Sequence, residues 1–442
     1  MLHPMALSCY THSLVFSRFF NCCRLGLDSP RSCSIFQVNK RAYCTSTSTS
    51  SSSVVSSNIV NPTNLHPISS SCSLETPPPP PPQSLAQTTL LNYTQRQQPP
   101  STDSVGIHSS NGRVMLIDGT SVIYRAYYKL LAKLHHGHLS HADGNGDWVL
   151  TIFTALSLII DVLEFIPSHV AVVFDHDGIP YGHVPVSAKQ SFVAKGLNFR
   201  HTLYPPYKSN RSPTPDTVVQ GLQYLKASLK AMSVKVVEVP GVEADDVIGT
   251  LSLRSVSDGY KVRVVSPDKD FFQILSPSLR LLRIAPRGLE MTSFGIEDFA
   301  KKYGTLKPAQ FVDIISLVGD RADNIPGVDG IGNVHALQLI TKFGTLENLL
   351  ENVDQVDEER IRKALISNAE MAILSKNLAL LRSDLPFYMV PFATTDLKFT
   401  KPEDNGEKFT SLLTAISAYA EGFSADKVIR RALYLWKKLE KQ

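Results

Sequence analysis

Five carboxylates that could share a divalent cation lie within residues 241–275 of this chain of 442 residues. They are Glu243, Asp245, Asp246, Asp268 and Asp270. A sixth acid, Asp258, lies in a Ser-Asp-Gly turn and is set aside. Carboxylates crowded together repel one another strongly unless a cation screens their charge. Because these side chains offer only oxygen, we expect Mg²⁺ or Mn²⁺ and not zinc.

A helix and a strand are predicted to position these acids. Apolar residues at 244, 247, 248 and 251 recur at helical spacing, which predicts a helix with one buried face. Glu243 and Asp246 are three residues apart and share one side of it. The short β-branched run at 262–265 predicts a core strand, and Asp268 and Asp270 follow its carboxyl end. Open α/β sheets bind ligands at that edge.

Two further predicted strands also run into an aspartate. The strand at 114–117 ends on Asp118, and the strand at 170–174 ends on Asp175. Helices are predicted after Asp118 and over 151–166, so the fold class is α/β, a parallel sheet flanked by helices. Asp118, Asp175 and Asp268 would then converge on one edge. Any one of them alone is better explained as a turn former or helix N-cap, but the set is not.

Cations and aromatic rings alternate in residues 199–211, and no acid lies between Asp177 and Asp216. The alternating side chains are Phe199, Arg200, His201, Tyr204, Tyr207, Lys208 and Arg211. Lysine and arginine neutralise phosphates and tyrosine rings stack on bases, so this stretch favours contact with nucleic acid. A solvated basic loop is the alternative that composition leaves open. Residues 178–198, just before it, are predicted to be a loop insertion.

A second acidic stretch runs into a glycine hairpin. An apolar helix over 311–318 is predicted to end at Gly319, followed by Asp320 and Asp323, and a second helix begins near residue 333. The hairpin glycines are Gly327, Gly330 and Gly332. They allow close approach of the backbone, and their amides, with the second helix's N-terminus, can bind phosphate. Such a hairpin is often only a turn, and the two preceding acids are what favour a site.

The predicted elements after residue 350 carry no assigned chemistry. They are helices over 351–383, strand character over 385–396, and closing helices over 409–442. The apolar segment 151–166 contains Asp161 and Glu164, which favours an amphipathic helix and not a membrane span. A formal net charge of +4 does not by itself indicate a nucleic-acid partner, so any basic surface must be local.

Residues 1–110 differ in composition from the rest of the chain. All six cysteines lie within the first 72 residues, which excludes a disulfide framework and cysteine-ligated metals further on. The start of the chain is rich in serine, and up to Lys40-Arg41 it has five basic residues against one acid. That composition is typical of an organelle transit peptide, for a mitochondrion or a chloroplast. A disordered tail without an address is the alternative.

In this order the motifs resemble the 5′-nuclease family, which includes the 5′→3′ exonuclease domain of bacterial DNA polymerase I, phage 5′-nucleases and flap endonucleases. They are LIDGTSVIYRAY, VVFDHDG, FRHTLYPPYKSNRSPTPD, VEADDVIGTL, SPDKDFFQIL and GDRADNIPGVDGIG, within residues 114–350. In form the chain most resembles stand-alone plant organellar 5′→3′ exonucleases. The resemblance implies a PIN-like domain with a helical arch, then a helix-hairpin-helix that holds duplex DNA.

The resemblance also implies residue roles. The implied metal ligands are Asp118, Asp175, Glu243, Asp245, Asp246, Asp268, Asp270, Asp320 and Asp323. The implied catalytic cations are Lys208, which would lie against the scissile phosphate, with Arg211, Arg200 and Arg125. The implied DNA contacts are Tyr204, Tyr207, Gly327, Gly330, Ile331 and Gly332. Two Mg²⁺ or Mn²⁺ ions are the implied cofactors, and K⁺ is a candidate ion at the glycine hairpin.

Two features depart from the bacterial domains. The stretch 178–198 is longer, and no polymerase domain follows, so we expect the polymerase partner to be a separate organellar chain. The predicted parts are a transit segment (1–110), a catalytic domain (111–300), a helix-hairpin-helix subdomain (301–385) and a C-terminal helical extension (386–442).

The predicted function is a structure-specific 5′→3′ exonuclease and flap endonuclease for organellar DNA replication and repair. Its predicted substrates are DNA 5′ ends, flaps and nicked or branched duplex. No membrane partner is expected. Three alternatives stay open. They are a PIN-type RNA nuclease, a module that binds DNA junctions without cutting, and a structural α/β protein with acidic caps. The extra acids and the glycine hairpin count against the RNA nuclease.

Overall fold

The computed structural model describes residues 112–135, 146–176, 198–285, 290–420 and 422–441, all within one compact unit. The predicted transit segment and nearly all of the predicted insertion at 178–198 lie outside these ranges. The residues assigned to the predicted arch, Arg200, Tyr204, Tyr207, Lys208 and Arg211, lie within the described ranges. None of the described helices is long and apolar enough to span a bilayer.

A single mixed sheet of six strands organises the described residues, in the order β3-β2-β1-β4-β5-β6. The strands are β1 (Arg113–Asp118), β2 (His169–Phe174), β3 (Lys235–Glu238), β4 (Lys261–Val265), β5 (Leu279–Ile284) and β6 (Met291–Phe294). All neighbours pair in parallel except β6, which runs antiparallel to β5. The predicted parallel α/β sheet is confirmed, although sequence patterns did not reveal β3, β5 or β6.

Helices cover both faces of the sheet. Before residue 304 they are α1 (Gly119–His135), α2 (Asp147–Leu163), α3 (Phe199–Leu203), α4 (Asp216–Ala231), α5 (Ala244–Ser257) and α6 (Ile296–Tyr303). Beyond it they are α7 (Phe311–Val318), α8 (Asn333–Phe343), α9 (Leu346–Glu351), α10 (Glu359–Ser367), α11 (Ala369–Ala379), α12 (Glu407–Ser417) and α13 (Asp426–Leu439).

Alternate side chains of β1 enter two different hydrophobic cores, because neighbouring residues of a strand point to opposite faces. Val114 and Leu116 pack with α5 and the helices α7 to α11. Met115 and Ile117 pack with α1, α2, α4 and the two last helices, α12 and α13. A strand that is buried on both faces has an unbroken run of apolar residues in its sequence, and this run made β1 predictable.

The helix-hairpin-helix is formed as predicted: α7 ends at Val318, Gly319 follows at a positive φ of 75°, and α8 begins at Asn333. The predicted closing helices are α12 and α13. The strand character predicted over 385–396 is wrong, because that stretch consists of turns and a 3₁₀ helix at Thr394–Leu397. Its apolar side chains, such as Leu385 and Val390, are buried one by one and do not line a strand face.

Candidate active site

Three of the predicted metal ligands lie at the carboxyl edge of the sheet. Asp118 is the last residue of β1, Asp175 directly follows β2, and Asp268 lies three residues beyond β4. Because β1 pairs in parallel with both β2 and β4, the ends of these strands adjoin. The predicted convergence is confirmed. The Ser266 hydroxyl donates to Asp118 Oδ2 at 2.9 Å, a contact that sequence reasoning missed.

Helix α5 begins at the same edge. The Ala244 backbone N–H donates to Asp175 Oδ1 at 2.8 Å, so this carboxylate satisfies one free amide of the first turn. Asp245 follows in that turn. Burial, with the charges of Asp118, Asp268 and Asp175, raises the pKa of Asp245 well above its usual range. A cation bound beside Asp245 would stabilise its ionised carboxylate.

The pKa values of the neighbouring acids Asp118 and Asp270 are also raised. Burial raises the pKa of Asp118 to about 6, and the charge of Asp175 adds to it. Burial and the charge of Asp268 raise the pKa of Asp270 well above its usual range. Asp270 Oδ1 is buried without a hydrogen-bond partner. Within the described ranges, these carboxylates and Asp245 form no ion pair with a protein cation.

The other four predicted ligands are paired with protein cations. Lys208 Nζ lies 2.9 Å from Glu243 Oε1, and Lys269 Nζ lies 3.0 Å from Asp320 Oδ2. Arg200 binds Asp246, and Arg211 binds Asp323. Burial opposes ionisation of Glu243, but Lys208 and Arg200 together lower its pKa to about 2. Lys269, between two acids in sequence, was not singled out as a site residue.

Arg200, predicted as a catalytic cation, and Tyr207, predicted to contact DNA, are each only 3% exposed. The Arg200 guanidinium donates to both Asp246 carboxylate oxygens, at 2.7 and 2.9 Å. It also donates to the backbone carbonyls of Leu378, at the end of α11, and Leu380, just beyond it. Arg200 is therefore a structural residue that ties the base of the predicted arch to α5 and α11.

The other predicted cations stay near the surface. Lys208 and Arg211 lie on a turn held against the loop after α7, where the Lys208 N–H donates to the Asp323 carbonyl. The Arg211 side chain is 54% exposed. Tyr204 is half-buried, and so is Arg125, whose guanidinium donates to the Ala285 carbonyl. Lys208 and Arg211 therefore border the acids, whereas Arg125 is held by backbone.

A small polar pocket joins the two groups of acids. Its lining includes Lys208, Glu243, Asp245, Asp270 and Asp323, which come from four separate segments of the chain. The oxygen-only donor set and the unpartnered Asp270 Oδ1 fit a hard divalent cation. In the part of the chain that the structure describes, no three His, Cys, Asp or Glu side chains already surround a metal position. The carboxylates are neighbours, and several of them form ion pairs with lysine or arginine side chains.

The glycine hairpin contains both buried and exposed residues. Gly327, at φ 70°, lies against Gly319, and its N–H donates to Ser375 Oγ at 3.0 Å. Ile331 is 5% exposed and belongs to the core. Of the four predicted DNA contacts in the hairpin, Gly327 and Ile331 are therefore buried, whereas Gly330 and Gly332 are exposed.

Two alanine substitutions separate these roles. In Gly327→Ala the new Cβ would overlap the backbone nitrogen of Gly319 at a positive φ, so we expect a loss of about 2 to 5 kcal/mol in the free energy of unfolding. Gly332→Ala meets no heavy atom within 4 Å and is expected to cost about 1 kcal/mol or less. Chemical denaturation measures both. Equal costs would contradict this division of the hairpin.

Known proteins resemble the chain in both halves of the described unit. A family model described as the 5′-3′ exonuclease N-terminal resolvase-like domain matches residues 186–304, and one described as the 5′-3′ exonuclease C-terminal SAM fold matches residues 306–405. DNA polymerase I of Bacillus caldotenax is 35% identical over 275 residues, covering 62% of this chain and 28% of that protein. The thermostable DNA polymerase I of Thermus caldophilus is 37% identical over 276 residues, covering 62% and 29%.

Among solved structures, the T5 D15 protein co-crystallised with metal ions aligns with a TM-score of 0.47 and 19% identity, over 70% of this chain and 100% of that one. A likeness of this strength assigns no residue roles. The two exonuclease domain models, in sequence order on this fold, define the class: the chain belongs to the 5′-nuclease family. It spans less than a third of the length of the polymerases named above.

Proposed function

We propose that this protein is a metal-dependent 5′→3′ exonuclease and flap endonuclease that hydrolyses phosphodiester bonds of DNA. One observation carries the proposal: at the carboxyl edge of the sheet, bordered by Lys208 and Arg211, lies a group of acids that form no ion pair with any described residue. The acids are Asp118, Asp175, Asp245, Asp268 and Asp270. Membership in the 5′-nuclease family supports the same reaction class.

These acids would hold two Mg²⁺ or Mn²⁺ ions. When bound, such ions supply a water of lowered pKa as nucleophile and stabilise the leaving 3′-oxygen. The protein's own part is to orient the phosphate and offset its charge. Lys208 and Arg211 would bind the phosphate's non-bridging oxygens, where negative charge increases in the transition state. Lys208 Nζ lies 2.9 Å from Glu243 Oε1, so Lys208 must break this ion pair in order to bind the phosphate.

The helix-hairpin-helix would hold the duplex next to this edge. Gly330 and Gly332 present exposed backbone at the start of α8, where free amides and the helix dipole favour a phosphate. Such contacts hold the DNA backbone without reading bases. Cleavage is therefore expected to depend on the structure of the DNA and not on its sequence.

A labelled 5′-flap duplex tests the reaction on the full chain. We expect cleavage with Mg²⁺, none after EDTA treatment, and recovery when Mg²⁺ or Mn²⁺ is restored. A matched RNA flap is the control, and preferred cleavage of RNA would favour the RNA-nuclease alternative. Tight binding of the flap without products under any metal would reject the nuclease in favour of a junction-binding module.

We further propose that residues 1–110 direct the protein to a mitochondrion or chloroplast, where it would act beside a separate DNA polymerase. The basic, serine-rich and acid-poor composition up to Lys40-Arg41 supports this. Residues 1–110 fused to a fluorescent protein are expected to accumulate in one of the two organelles. Replacing the five basic residues of the first 41 with glutamine should abolish import. A diffuse signal from the unmodified fusion would contradict the proposal.

A further inference from the structure

The outer side of α13 carries a row of three cations and one tyrosine. Lys427, Arg430, Tyr434 and Lys437 are spaced three, four and three residues apart, so their side chains lie along one side of the helix. All four are exposed, Tyr434 by 58%. We call them the α13 stripe. The opposite side of the helix is buried in the core through Val428, Ile429, Ala432, Leu435 and Trp436.

The charges of the α13 stripe are not compensated within the described residues. Lys427, Arg430 and Lys437 form no ion pair there. Arg431, one position further round the helix, instead binds Asp161 and Glu164 and so fastens α13 to α2. The helix thus pairs the arginine that faces the protein and leaves the outward cations unpaired.

We infer that the α13 stripe binds the phosphodiester backbone of duplex DNA, as a second contact away from the cleavage point. The choice of DNA rests on the proposed function. Lys427 and Lys437 are ten residues apart, which corresponds to about 15 Å along a helix. That length matches about four phosphates along one strand of DNA. Lysine and arginine on a rigid helix suit contacts that neutralise phosphates without reading bases.

A membrane surface fits the α13 stripe less well. Helices that lie on membranes insert a broad apolar face between lipid head groups. The apolar face of α13 is instead buried in the protein core, and its exposed large apolar side chains are Leu433 and Tyr434 alone. Charge without a free apolar face favours a nucleic-acid backbone.

The α13 stripe lies apart from the acids. Arg431 binds Asp161 and Glu164 at the end of α2, just before β2 enters the sheet, whereas the acids follow the opposite, carboxyl ends of the strands. Helix α13 also lies beyond residue 405, where the second family model ends. Contacts at the α13 stripe should therefore change the affinity for DNA and not the rate of the chemical step.

The test is a triple variant of the full chain, Lys427→Gln with Arg430→Gln and Lys437→Gln. Its control is Arg113→Gln with Lys230→Gln and Lys261→Gln, which removes the same charges from exposed positions on β1, α4 and β4. Binding to a 5′-flap duplex is measured by fluorescence anisotropy without divalent ions, from about 50 to about 300 mM KCl. The slope of log affinity against log salt should fall by about 2 to 3 in the test variant, since each lost phosphate contact removes about 0.9.

The control should keep the wild-type slope, and both variants should cleave at the wild-type rate when DNA is saturating. A test variant that matches the control in slope and affinity would overturn the inference. So would loss of binding to phosphatidylserine vesicles with DNA binding intact, which would assign the α13 stripe to a membrane. If wild-type protein binds but never cuts, the proposed nuclease fails, while a reduced slope in the test variant still supports the DNA contact.

Discussion

Asp245→Asn is expected to lower the rate of flap cleavage by about a thousandfold and to leave DNA binding nearly unchanged. Asp245 is half-buried at the start of α5 near three other aspartates and has no ion-pair partner in the described ranges. The amide has the same shape but cannot supply the negative charge that would hold a divalent ion. A loss of about 4 kcal/mol of transition-state stabilisation corresponds to that rate. Single-turnover cleavage and anisotropy measure the two effects separately.

The same substitution is expected to stabilise the metal-free protein. The amide removes one charge from a group of acids that raise one another's pKa, so Asp245→Asn should unfold at a higher denaturant concentration than wild type in EDTA. Added Mg²⁺ should stabilise wild type more than the variant, because the ion binds the folded state. Asp384→Asn, at an exposed acid, is the control and should change neither property. Equal loss of cleavage and binding in Asp245→Asn would count against the assigned role.

Arg200→Met is expected to lower the free energy of unfolding by about 3 to 5 kcal/mol. The substitution leaves Asp246, 2% exposed, as a buried charge without its bidentate partner. It also removes the donors to the carbonyls of Leu378 and Leu380, which join α3 to the end of α11. Denaturant titration in EDTA measures the change.

Three companion variants test why Arg200→Met lowers the free energy of unfolding. Arg200→Lys keeps the charge but loses the fork of donors, so it should recover only part of the stability. Adding Asp246→Asn to Arg200→Met should recover more, because the unpaired charge is gone. Arg211→Met, whose side chain is half exposed, should cost less than about 1 kcal/mol. A loss in Arg200→Met as small as that in Arg211→Met would contradict the structural role of Arg200.

The sequence by itself determined the acidic edge of the sheet. β-branched and apolar runs ending on Asp118 and Asp175 predicted strands, and parallel strands bring their carboxyl ends together. The helix carrying Asp245 and the helix-hairpin-helix around Gly319 were also readable. These features depend on local periodicity and on turn chemistry, which a few neighbouring residues specify.

Only the tertiary structure decided which side chains of the motifs face the solvent. Arg200, Tyr207 and Ile331 sit in polar or glycine-rich stretches that suggest surface contacts, yet all three are buried. The Arg200 guanidinium takes its partners from positions 43 to 180 residues away, from Glu243 to the Leu380 carbonyl. Such burial results from the packing of distant segments, so no local pattern records it. For the same reason, only packing turned the regular spacing of α13 into one buried face and one exposed row of cations.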